Sequence, residues 1–352
     1  MKKIVFYNFI IFFILLLIIE LILGYWFKEN DFGFFVRNER LIEKYYKVKH
    51  HNKIYDVIYK RNFYGFRGEE TKPNNIKIVF EGGSTGNQRF TPEKFTIVGS
   101  LNKLFMDDNT EIRIFNASTD GKTTRGYVND FEKWFSKIKN FHPKIFIFYT
   151  GINDSYWFQK EKFDTGERTG IPERLADYIK NNSITAELLH RLYNKFFSFE
   201  LTLKLKAEYN PNYIDEDLYK HYSYVNYDKA KKIFTRSGQS ENDKNLINRF
   251  KNRLNNLDKI INEKKIIPIF ITQIQYNGIG NINLFLINKE LKNFAKNNNY
   301  YLIKLDEQID NIGEGDYYDM SHTQILGSKK IADTIYLELK KILLKELHPN
   351  SN

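Results

Sequence analysis

The stretch "IKIVFEGGSTGNQRF", Ile76 to Phe90, passes from an apolar, β-branched run into a glycine cluster around Ser84 and Thr85. A short apolar run that breaks on glycine predicts a buried strand ending in a tight turn. The turn alone has several readings. Gly82 to Gly86 matches G-x-S-x-G literally, the elbow that carries the serine of an α/β-hydrolase. It also suits a phosphate cradle, a nucleophilic serine of another kind, or a plain turn.

Downstream, strand and helix signals alternate. Strand candidates are Ile76–Phe80, Ile112–Phe115, Ile145–Tyr149, Ile266–Thr272 and Tyr301–Leu305, each short and apolar as buried parallel strands are. Helical stretches lie between them, one starting near Glu93 and others over Arg125–Phe141, Asn245–Lys265 and Asn281–Asn299, with a last one over Gly327–Leu347. This order predicts an α/β fold: a doubly wound, mostly parallel five-stranded sheet with helices on both faces, over residues 76–347. The alternation breaks at residues 155–244, a polar, tyrosine-rich, largely helical insertion after the third strand. An insertion there sits above the strand carboxyl ends, where open α/β sheets bind ligands. It reads equally as a lid, a substrate cleft or a decorating subdomain.

The chain has 352 residues, 42% of them hydrophobic, enough for one large domain or two small ones. Residues 1–24 hold "IVFYNFIIFFILLLIIELIL", Ile4 to Leu23, interrupted only by Asn8 and Glu20. About 20 apolar helical residues span the hydrocarbon core. The run is longer than the apolar region of a cleavable signal peptide and continues into Tyr25, Trp26 and Phe27, aromatics suited to the interface. It predicts an uncleaved signal anchor, with Lys2 and Lys3 favouring a cytoplasmic N-terminus and the rest of the chain outside the cytoplasm. The basic stretch after the span pulls the other way under the same rule. Residues 25–75 read as a stalk and lead-in packed on the main domain, with "NFYGFRGEE" (Asn62 to Glu70) as a loop-like element.

The net charge of +11 suits either an acidic partner or lysines spread over solvated helix faces. The absence of a dense basic block and of any nucleic-acid motif favours the second, so no nucleic acid is expected. There is no cysteine, which excludes disulfides, thiolate metal sites and a cysteine nucleophile. No H-E-x-x-H or EF-hand pattern occurs, so neither metal nor cofactor is expected.

Four segments lie just past a strand end or close before the last helix: Ser84; Gly121 in "NASTDGKTT" (Asn116 to Thr124); Asn153 in "YTGINDSY" (Tyr149 to Tyr156); and Asp319 with His322 in "YYDMSHTQILG" (Tyr317 to Gly327). In a doubly wound sheet those ends form one rim. A serine hydroxyl needs a base within hydrogen-bond reach, and histidine is suited near neutral pH. The histidine needs an acceptor on its other nitrogen, which Asp319 supplies from three residues before His322. The backbone N–H groups of Ser84 and Gly121 and the side-chain amide of Asn153 suit a developing oxyanion.

These blocks resemble those of the SGNH (GDSL-type) hydrolases, a superfamily of esterases, lipases, thioesterases and carbohydrate O-acetyl esterases or transferases. Gly82-Gly83-Ser84 stands where that family usually has G-D-S, as in its membrane-anchored branch with G-G-S-T. "NASTDGKT" is similar to its second block, Gly151-Ile152-Asn153-Asp154 to G-x-N-D, and Asp319-Met320-Ser321-His322 to D-x-x-H. "NFYGFRGEE" looks like the lead-in of the same branch. The resemblance covers about residues 60–154 and 245–347. It implies a flavodoxin-like three-layer α/β/α fold, a catalytic Ser84, His322 and Asp319, and an oxyanion hole from Ser84, Gly121 and Asn153.

The phosphate reading fails for want of a G-x-x-x-x-G-K-[ST] or a G-x-G-x-x-G with a downstream acid. The α/β-hydrolase elbow normally follows several strands, with acid and histidine far apart. The other histidines, His50, His51, His142, His190, His221 and His348, have no aspartate-loop context and read as surface or core. Asp154 reads as structural, and Gln273 as a residue that lines the cleft. The expected protein is a membrane-anchored extracytoplasmic serine esterase that acts on O-acyl, most simply O-acetyl, groups of a surface or secreted glycan. An O-acetyltransferase with the same triad, a lipase or thioesterase, a non-catalytic glycan-binding assembly protein and a basic membrane-surface binder are the other readings.

Overall fold

The computed structural model describes residues 2–27, 42–51, 53–157, 171–197, 199–202, 224–235, 240–309 and 312–347. The chain begins with α1 (Lys2–Leu23), followed by β1 (Ile42–His50), β2 (Lys53–Arg61), β3 (Ile78–Gly82), α2 (Ser84–Asn87), α3 (Ile97–Asp107) and β4 (Ile114–Asn116). Next come α4 (Thr124–Lys133), β5 (Ile145–Tyr149), α5 (Ile152–Trp157), α6 (Ile171–Asn182), α7 (Ile184–Phe196), β6 (Phe199–Thr202) and α8 (Tyr227–Phe234). Last are α9 (Glu241–Lys264), β7 (Ile267–Ile271), α10 (Ile282–Asn297), β8 (Tyr301–Ile303), α11 (Leu305–Gln308) and α12 (Ile325–Leu347).

The five predicted strands form one sheet in the order β4-β3-β5-β7-β8, every neighbouring pair parallel. β3 and β5 are buried along their whole length, because helices cover both faces. α3 packs with α12, while α4 packs with α9 and α9 with α10. The first core strand, β3, lies between the second and third. This is the flavodoxin-like order, and it places the topological switch point at the carboxyl ends of β3 and β5. Side-chain caps set the helix starts: Thr96 accepts from Gly99 N ahead of α3, and Ser240 from Asp243 N ahead of α9.

Residues 42–61, within the stretch read from sequence as a stalk and lead-in, form an antiparallel hairpin, and β6 from the insertion adds to it as a parallel third strand. His51, just after β1, has a positive φ of 53°, the left-handed conformation that tight hairpin turns use. Ile42, Tyr46, Val48, Val57 and Tyr59 make a small separate core there. The insertion is helical in α6, α7 and α8. Its residues 158–170, 203–223 and 236–239, and residues 28–41 of the stalk, lie outside the described residues. α1 is long and apolar enough to cross a membrane, and none of its most apolar stretch is buried against the rest of the chain.

Candidate active site

β3 delivers the chain into Gly82, and Ser84 opens α2 one residue after the extended Gly83. A Cβ on Gly83 would fall 2.1 Å from Nδ2 of Asn153, so only glycine lets that amide lie against the serine turn. The Asn153 amide donates to the Lys122 carbonyl at 2.9 Å. The turns after β3, β4 and β5 therefore meet at one point. Gly121, in the turn after β4, has φ of +68°, a conformation that disfavours any side chain.

The loop before α12 brings His322 to the serine. His322 Nε2 lies 2.7 Å from Ser84 Oγ, and its Nδ1 lies 2.6 Å from Asp319 Oδ2. Asp319 Oδ1 also accepts the backbone N–H groups of Ser321 and His322, at 2.8 and 2.7 Å, which closes the loop on the carboxylate. The Tyr318 ring stacks on the imidazole, with centroids 5.5 Å apart and planes inclined by 13°. Burial favours the neutral form of both groups. For Asp319 it is outweighed by the His322 hydrogen bond and charge and by the two backbone donors, which hold the carboxyl below its usual range. For His322 burial is outweighed by Asp319, and further by the charge of Asp120, so the imidazole titrates above its ordinary value.

A buried polar scaffold fixes the three loops. Gln88, left-handed at the end of α2, donates to Thr323 Oγ1 at 2.9 Å and to Ser328 Oγ at 2.5 Å, tying the serine turn to the histidine loop. Asp154 accepts from Thr124 N and from Arg253 Nη1, each at 3.0 Å, the structural role expected of it. Burial pushes its carboxyl up against the pull of Arg253 and Thr124. Gln273 does not line the cleft as expected: it is buried, donates to Thr85 Oγ1 at 3.0 Å and accepts Ile152 N at 2.7 Å.

Sequence reading missed the cations beneath these loops. Lys122 is buried beside Glu81 at 3.2 Å and is also paired with Asp130. Arg61 donates to the Ser118 carbonyl at 2.8 Å, and Arg67 to the Thr91 carbonyl at 2.6 Å and to the Asn87 carbonyl. Both arginines flank the "NFYGF" loop, whose aromatic-glycine character was the one available signal. Arg253, on α9, carried none.

Ser84, His322 and Asp319 line a cleft of about 460 Å³ whose walls also include Arg89, Asp120, Ile152, Tyr156 and Tyr318. Arg89 Nη2 pairs with Asp120 Oδ2 at 2.9 Å. Of the other histidines, His50 is buried, and its Nε2 donates to the Phe90 carbonyl at 3.0 Å. Burial, partly opposed by that bond, pulls its pKa down to about 4. The His51 backbone N–H donates to Gln324, and the His142 side chain is exposed. His221, His348 and the His190 side chain lie outside the described residues. Among the described residues no group of three or more His, Asp or Glu side chains is arranged to hold a metal ion.

No protein-family model matches the chain, and no curated protein matches it. Several solved structures are similar to it. The psychrotrophic esterase EstA from Pseudoalteromonas sp. is 10% identical, with 76% of this chain and 99% of that one covered and a TM-score of 0.38. A variant of an acetyl xylan esterase from Geobacillus stearothermophilus is 13% identical over 75% of this chain and 94% of its own, with a TM-score of 0.40. A G-D-S-L-family protein from Desulfitobacterium hafniense is 12% identical over 75% and 99%, with a TM-score of 0.40. Likeness of this degree decides neither activity nor substrate, so the site is read from its own geometry.

Proposed function

We propose that this chain is a membrane-anchored serine hydrolase of the SGNH kind, working through an acyl-serine within a unit of residues 76–347 interrupted at 155–244. The observation that carries this is the unbroken chain Ser84 Oγ–His322 Nε2, 2.7 Å, and His322 Nδ1–Asp319 Oδ2, 2.6 Å, at the floor of an open cleft. His322 takes the hydroxyl proton as Ser84 Oγ attacks the ester carbonyl carbon. The resulting oxyanion is met by the N–H groups of Ser84 and Gly121 and the amide of Asn153, which exchanges its bond to Lys122 for one to the substrate. His322 then protonates the leaving alcohol, and the C–O bond to it breaks. A second nucleophile, deprotonated by His322, attacks the acyl-serine and releases Ser84.

Water as that nucleophile makes the chain an esterase, and a sugar hydroxyl makes it an acyltransferase with the same triad. The substrate class suggested by the motif resemblance and by α1 is an O-acyl, most simply O-acetyl, group on a surface or secreted glycan, reached outside the cytoplasm. The lining supports a short acyl group on a polar alcohol, since Arg89 and Asp120 stand beside Tyr156 and Tyr318.

The test is acetate release by the full chain in detergent from p-nitrophenyl acetate and from an O-acetylated polysaccharide, with and without a sugar acceptor. Ser84→Ala is expected to lower turnover by about 10⁴-fold or more. Diversion of acetyl to the acceptor would identify a transferase. Equal rates for the wild type and the variant on every substrate would overturn the catalytic reading.

A further inference from the structure

The insertion carries an apolar surface that the catalytic reading does not use. On α7, Leu188, Leu189, Leu192, Tyr193 and Phe196 recur at a spacing that puts them on one face. That face is open: Leu189 is 62% exposed, Phe196 75%, and Phe197, just past the helix end, 68%. α6 adds Ile171, 80% exposed, and Leu175, 55% exposed. Soluble surfaces scatter such residues singly, and a contiguous set marks a partner or a membrane. The opposite side of α7 is accounted for. It packs on β1, and Arg191 pairs there with Glu187 at 2.5 Å and with Glu43 at 3.6 Å.

Where this surface is pinned decides what covers it. Glu20, in the last turn of α1, accepts Ser183 Oγ at 2.7 Å and Thr185 N at 2.8 Å, the cap and first turn of α7. Trp26 donates to the same carboxylate at 2.8 Å and meets the Tyr178 ring of α6 edge-on at 5.6 Å. The Tyr25 N–H donates to the carbonyl of Asn182, the last residue of α6, at 2.8 Å. The α6–α7 corner is therefore fastened to the end of α1, at the level where Tyr25 and Trp26 suit the headgroup region. A helix held there with one face of Leu and Phe has the bilayer boundary as its nearest apolar solvent.

From this continuity we propose that α6 and α7 form an interfacial membrane seat, with the α7 face immersed at the headgroup–acyl boundary beside α1. The proposal rests on α1 spanning the bilayer. The seat makes the domain sit against the membrane instead of swinging on a tether, and it makes a bilayer the structural partner of the insertion.

The absence of cysteine makes the test clean. Full-length protein is placed in phosphatidylcholine vesicles with one environment-sensitive fluorophore, attached through Leu192→Cys, Leu15→Cys in α1, or Lys296→Cys on the exposed end of α10. A blue-shifted Leu192→Cys emission, lost to headgroup-level lipid nitroxides and insensitive to aqueous iodide, is the expected result. Lys296→Cys should show the reverse. Iodide quenching at Leu192→Cys overturns the proposal. Protection from both quenchers overturns it as well, and points to a second copy or another part of the chain over the face. Leu15→Cys, deep in α1, is read with acyl-chain nitroxides and separates the two failures: if it escapes them, the membrane span has failed, and if it is quenched by them, only the seat has.

Discussion

His322 is poised between two carboxylates of different reach. Asp319 is hydrogen-bonded to it, while Asp120 acts through charge alone from a side chain that is itself held by Asn87 and Arg89. Both favour the imidazolium, so the imidazole titrates above its ordinary value despite burial. The sign of the rate effect follows. In the proposed mechanism His322 accepts the serine proton only when neutral, so kcat/KM is expected to fall as pH drops through the raised value. The acid limb for p-nitrophenyl acetate is expected to have its midpoint above about 6.5. Asp120→Asn should move that midpoint down with the triad intact, and an unmoved midpoint in the variant would remove Asp120 from the account.

Among the elements, what the sequence revealed depended on how each residue is satisfied. Buried parallel strands are continuous apolar runs, so "IFIFY" at β5 shows itself directly, and its predicted bounds are those observed. The β1–β2 hairpin hid because only alternate residues face its core. Lys47 and Lys49 fall between Tyr46, Val48 and His50, and the stretch reads as polar. The serine, glycine, asparagine and Asp-His blocks were legible because each occupies a turn whose chemistry is local. Their supports were not, because a buried charge looks in sequence like a surface charge until its partner is known.

Lys122 is the clearest such case, since it joins β3 through Glu81 to α4 through Asp130, directly below Gly121. Burial, against the pull of Lys122, raises the Glu81 carboxyl well above its usual range, and Asp130 raises it further. Lys122→Met removes the cation and is expected to cost about 3–5 kcal/mol at neutral pH. A carboxyl whose folded pKa exceeds its unfolded one makes the folded state bind more protons, so stability falls as pH rises between the two values. The loss should therefore shrink between neutral and mildly acidic pH, as the buried carboxyl takes up its proton. Chemical denaturation of both proteins at neutral and mildly acidic pH checks this, and a loss independent of pH would rule out the buried acid as its cause.

At the scale of the whole molecule, the site belongs to the five-stranded sheet, and the joint to α1 is made by a different set of residues. Ser84, His322 and Asp319 stand at the carboxyl rim, whereas Glu20, Ser183 and Thr185 form the corner where α1 meets α7. Catalysis and attachment should then fail separately. Glu20→Ala deletes the acceptor of the Thr185 N–H and of Ser183 Oγ, and hydrogen bonds to a charged group contribute about 1.5–3 kcal/mol each. Local opening of the first turn of α7 should become easier by at least about 1.4 kcal/mol, which is tenfold in its equilibrium. Amide exchange of the peptide containing Thr185, measured in the full chain, should accelerate by about that factor. Hydrolysis of p-nitrophenyl acetate should stay at the wild-type rate, because none of the lost bonds reaches the cleft. Unchanged exchange would mean that the Glu20 bonds do not hold the first turn of α7, and a parallel loss of activity would mean that the corner and the rim are coupled through the fold.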